Sequence, residues 1–142
     1  MTAMDRFHSW FLGDADAVHF ARQVWECAQV FDDVVDEGDV SRAGEVFSWI
    51  GFARHREPFA QRFPQINVSL EMMYLQWRDA NVLERGSDAD REKAFMLRAG
   101  IYSVFAYMAH LVGGEGHSRA VGPDIYRAYA ERVSDLHEEF GG

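Results

Sequence analysis

The run FDDVVDEGDV (residues 31–40) places five carboxylates, Asp32, Asp33, Asp36, Glu37 and Asp39, within eight positions. Carboxylates are hard oxygen donors. A group of them can hold a divalent cation, meet a basic partner or simply face water. Asp32 and Asp36 are i, i+4 neighbours, one above the other on a helix. That spacing suits Mg²⁺, which keeps several waters and bridges to a substrate phosphate. Asp33 lies beside them, and Asp79 or Glu84 from a later helix would complete the cage. Arg98, Arg78 and Lys93 are the cations that could contact the phosphate. The chemistry of such a site is metal-assisted ionisation or hydrolysis of a phosphorylated small molecule.

The same residues also carry a structural reading. Arg98 falls in a nearly apolar helical run with Phe95, Ile101, Tyr102 and Phe105. A buried guanidinium needs an anion, because an unpaired buried charge is very costly. Asp32, Asp36, Asp79 and Glu84 are its candidate partners. On this reading Arg98 holds Asp32 or Glu84 and fixes the register of the fold, while the other acids stay solvated.

The elements that must position these residues follow from periodicity and breakers. With 142 residues, 48% hydrophobic and 26% charged, the chain is globular and of single-domain size. No alternating strand pattern competes with the helical one. The expectation is an all-α bundle of about five helices, spanning 1–142 as one domain. A short amphipathic piece covers residues 5–12 and stops at Gly13. The first helix runs from about Asp16 to Glu37, and the second from Ser41 to Arg54. The third runs from Pro64 to Arg85. The fourth runs from the cap-like SDAD to Val112, where GGEG ends it. The fifth runs from Pro123 to Glu139. If the first four alternate in direction, the ends of the first and third meet the start of the fourth.

At about 100° per residue, Asp32 projects into the apolar face of the first helix, between Ala28 and Trp25. The third helix is apolar on two sides. One side holds Ile66, Leu70, Met73, Trp77 and Ala80. The other holds Val68, Met72, Leu75 and Val82, interrupted by Asp79. That pattern predicts a central helix.

DDVVDEGDV resembles the first aspartate-rich motif, DDxxD, of trans-prenyl diphosphate synthases and related terpenoid enzymes. The resemblance rests on Asp32, Asp33 and Asp36. It implies a helix-ending site that binds Mg²⁺ together with a substrate diphosphate. RDANVLER (78–85) stands where a second acidic element would assist. Asp33 and Asp36 also have the spacing of the ExxD element of all-helical nucleotide pyrophosphohydrolases. FLGDADAV (11–18) and VFDDVVDEGD (30–39) are similar in character to small phage-encoded helical proteins, which implies a viral setting.

A net charge of −9 argues against nucleic-acid backbones as partners. It suits a basic protein partner, and a non-enzymatic inhibitor of a host factor is the alternative function. Phe7, Trp10 and Phe11 either cap the bundle or form an exposed patch for a partner or homodimer contact. Cys27, the single cysteine, reads as a buried thiol. The charged N-terminus lacks a signal-peptide core, and the longest uncharged run, residues 99–114, is short for a membrane span. The expected setting is cytoplasmic, in the host if viral. The six histidines show no zinc spacing, and GGEG lacks the residues of a phosphate loop.

Overall fold

The computed structural model describes residues 3–129. Chain order gives α1 (Ala3–Trp10), α2 (Ala15–Glu37), α3 (Ala43–Gly51), a 3-10 helix (Ala53–Arg56), α4 (Pro58–Arg62), α5 (Ile66–Leu83), α6 (Asp88–Arg98) and α7 (Gly100–Arg127). The all-α bundle agrees with the helical periodicity of the sequence, and no strand occurs among the described residues.

Local chemistry sets the starts and stops. Asp14 caps α2 by accepting the Ala17 N–H at 3.1 Å, and Ser87 caps α6 by accepting the Asp90 N–H at 3.2 Å. Gly38 ends α2 in the left-handed region at φ 65°, with its N–H on the Asp33 carbonyl. The carboxylates of 31–40 therefore straddle a helix end that glycine terminates.

Boundaries differ from those expected of the sequence at four places, the first being the second helix, which stops at Gly51 and leaves Arg54 to a separate 3-10 turn. REPFAQRFP carries helix α4, because Pro58 sits in its first turn, where its missing N–H costs nothing. The long fourth helix is two helices with a turn at Ala99. Beside the turn, Gly100 packs against the Gln76 side chain of α5, whose amide oxygen fills the space a Cβ would take. GGEG does not end a helix. Gly114 takes φ 79° and ψ −176°, a conformation open to glycine, and kinks α7, which coils on past Pro123 to Arg127. The remainder of the expected fifth helix lies outside the described residues.

The main core gathers Phe7, Phe20, Val24, Leu70, Phe105 and Ile125, among others. Helix α1 has eight residues, too few to hold a helix alone, so packing holds it in place. Phe7, Trp10 and Phe11 are all buried, at 0%, 1% and 0% exposure, around the Phe105 ring. These three rings fill the bundle end and offer no exposed patch. At about 1.5–3 kcal/mol per fully buried large apolar side chain, they supply much of what anchors α1. Asp124 on α7 adds polar fixing, accepting from Arg6 Nη1 at 2.9 Å and Trp10 Nε1 at 3.0 Å. His117 completes the link, 2.7 Å from the Trp10 carbonyl.

A second, smaller core holds Cys27, Val30, Phe31 and Val46, with Tyr74 and Trp77 packed against it. The Phe31 ring stacks 4.6 Å from Trp77 and 5.7 Å from Phe47. This contact fixes the last turns of α2 against α5 and α3. Asp32, one residue after Phe31, is carried to the α5–α6 junction by it.

The stretch Asp88–Arg127 passes a length-and-composition test for a membrane span. Ile101, Val104, Phe105, Met108 and Ala109 of α7 are buried in the main core, and core helices pass the same test.

Candidate functional site

Helices α2, α5 and α6 meet around one guanidinium. Arg98 is the last residue of α6, and its side chain is 21% exposed. Periodicity alone places it in mid-helix; the turn at Ala99 moves it to a helix end, where a cation also suits the dipole. Its Nε donates to Glu84 Oε1 in a short ion pair. Its Nη2 donates to Asn81 Oδ1 at 3.1 Å, and its Nη1 stands 3.5 Å from Asp32 Oδ1. Burial works against the charge, but Glu84, then Asp32 and Asp36, more than offset it and raise the Arg98 pKa above its ordinary value.

Asp32 is less inward than its helix angle suggests. Its side chain is 45% exposed, at the edge of the α2 face, while that of Glu84 is 25% exposed. The structure thus brings together Asp32, Glu84 and Arg98 from the expected set. Asp33, Asp36 and Lys93 face solvent. Arg78 and Asp79 are exposed on α5 and pair with each other at 3.1 Å.

Asn81 is not among the residues that sequence reasoning singles out. Its one signal is its place three residues before Glu84, on the same side of α5. Arg54 also escapes that reasoning. Among the described residues it is the most buried cation, 5% exposed, with Nη2 3.6 Å from Glu71 and Nη1 3.5 Å from the Asn67 carbonyl. Burial lowers its pKa, and Glu71 opposes that shift. The 3-10 turn that inserts it has no strong sequence signature.

A Mg²⁺ site needs several convergent oxygen donors. Asp32 is engaged by Arg98, and Asp79 by Arg78. Among the described residues, no three of His, Cys, Asp and Glu gather into a group that could hold a metal ion. The donor set implied by the DDxxD resemblance therefore does not fit, and no catalytic step through a metal follows from it. Arg98 directs its N–H groups at Glu84, Asn81 and Asp32, partners that a phosphate would have to displace.

A cleft of about 250 Å³ opens between α2 and α3, lined by Glu26, Cys27, Arg42, Glu45 and Trp49 among others. It is smaller than the roughly 300 Å³ at which small-molecule sites begin. Arg42 bridges its walls, 3.7 Å from Glu26 and 3.6 Å from Glu45. Burial pushes the Cys27 thiol up to about 12, so it stays protonated and unreactive at neutral pH.

No family model, no curated protein and no solved structure matches the chain.

Proposed function

We propose that the protein is a non-enzymatic, acidic interaction protein that binds a basic partner on the face formed by the end of α2, the following loop and α3. The observation that carries this reading is the pairing of exposed apolar side chains with solvated carboxylates there. Val40 is 65% exposed and Phe47 43% exposed. The same short stretch carries exposed Asp33, Asp36, Asp39 and Glu45. The Phe47 ring lies 5.7 Å from Phe31, so the aromatic is backed by the second core and held rigid. A rigid aromatic centre rimmed by charge suits protein recognition. The carboxylates would steer a positively charged partner and set its orientation. Arg98 already meets Glu84, Asn81 and Asp32 within the chain, which leaves the exposed carboxylates of this face as the charges open to a partner.

The test uses a Lys-rich amphipathic helical peptide titrated into isotope-labelled protein. Amide signals of residues 33–47 should shift. Binding should weaken as salt rises and should weaken further with Phe47→Ala. Shifts confined to other regions, or binding insensitive to salt, would overturn the reading.

A further inference from the structure

The second apolar side of α5 is not covered. Among the described residues, Val68 is 60% exposed, Met72 56%, Leu75 42% and Val82 68%. The opposite side, with Ile66, Leu70, Met73 and Ala80, is buried. The sequence pattern predicts a central helix; α5 instead packs on one side and leaves a stripe open on the other.

The stripe has a recognisable period. Positions 68, 72, 75, 79 and 82 step by four, three, four and three residues, the spacing of a coiled-coil seam. At about 100° per residue they fall within an arc of roughly 80°. Asp79 is the one polar member, and it holds Arg78 at 3.1 Å.

Charge beside the stripe points to the occupant. Glu71 and Arg78 flank it on the same side, seven residues apart; both are exposed, and each also has a partner in its own chain, Arg54 at 3.6 Å from Glu71 and Asp79 at 3.1 Å from Arg78. We propose that this face binds a second copy of the chain, with the two α5 helices antiparallel about a two-fold axis. In the seam register that sets Met72 against Leu75 of the second copy, Glu71 comes within two residues of the level of Arg78 of that copy, on the same flank. The two-fold axis repeats both contacts. One symmetry operation therefore matches the apolar centre and both charge pairs, whereas a parallel arrangement would set Glu71 beside Gln76 and Arg78 beside Leu83 of the second copy, with no charge matched. Asp79 lies opposite Val68 of the second copy, at the wet edge, where a polar residue selects register. A single helix pair is a small contact, so the dimer is weak and concentration-dependent. This contact uses the outer side of α5 and is independent of the α2–α3 face.

Sedimentation equilibrium on the full chain from about 1 μM to about 1 mM tests it. The wild type should pass from one chain to two. Leu75→Glu, at an exposed position that leaves helix content unchanged, should raise the dissociation constant at least about tenfold. A second measurement fixes the register. Oxidation should join a chain carrying Met72→Cys to one carrying Leu75→Cys faster than either to itself, with buried Cys27 a bystander. A wild type that stays at one chain mass throughout, or a dimer untouched by Leu75→Glu, overturns the proposal. Equal cross-linking in all mixtures overturns the antiparallel register.

Discussion

Asp32 on α2 and Arg98 at the end of α6 stand 3.5 Å apart, while Glu84, the residue that follows α5, takes the guanidinium Nε. One cation thereby ties three helices together at their shared corner. The geometry also ranks the acids. Glu84 is the closer and the less exposed, so it carries the larger share of the pairing.

That ranking can be measured by thermal or urea unfolding. Arg98→Met should cost about 1–2 kcal/mol, between the values for exposed and buried pairs, because it leaves Glu84 half-buried without its cation. Glu84→Gln should cost more than Asp32→Asn. A double-mutant cycle should show stronger coupling for Arg98 with Glu84 than with Asp32. Equal coupling would mean that Asp32 and Glu84 share the guanidinium evenly.

Asp124 should make stability depend on acid. The Trp10 indole N–H is the largest influence on its carboxyl; burial opposes it, and Arg6 adds to the lowering, so the group is held below the ordinary aspartate range. A lowered folded-state pKa stabilises above the unfolded value and is lost as pH falls through the folded one. The loss therefore lies below about pH 4. Asp14, held down mainly by its hydrogen bond from Arg62, adds a loss in the same direction. Melting curves from pH 7 to pH 2 should fall in that window. Asp124→Asn, which keeps an acceptor for Trp10, should flatten the fall. An unchanged profile would show that α1 docking does not use this charge.

The fold is legible in the sequence where helical period and caps agree. Asp14, Gly38 and Ser87 mark boundaries that the structure keeps. It is less legible where breakers are tolerated. Gly114 reads as a stop and Pro123 as a fresh helix start, yet α7 kinks at Gly114 and runs on through Pro123, because buried Ile125 and the Asp124 contacts hold its later turns against the bundle. The corner of Asp32, Glu84 and Arg98 is legible because an inward guanidinium must find an acid. Its rim is not. Helix angle alone puts Asp32 inside the face, but the depth of a side chain depends on its neighbours, and here Phe31 takes the inner position against Trp77. The second apolar side of α5 is visible in sequence, and only tertiary packing could tell that it would stay open.

The acidic end of α2, on this reading, belongs to an ion network and a protein-facing surface, and is not a metal–phosphate site. Thermal unfolding with MgCl₂ and inorganic diphosphate, at matched ionic strength, separates the two. A ligand present at about 100 times its dissociation constant adds about 2.7 kcal/mol, which reads as a rise of several degrees. The expected wild-type shift is less than about 1 °C, unchanged by Asp32→Asn plus Asp36→Asn. A rise of several degrees that this double substitution abolishes would show that the acidic end of α2 binds metal and phosphate after all.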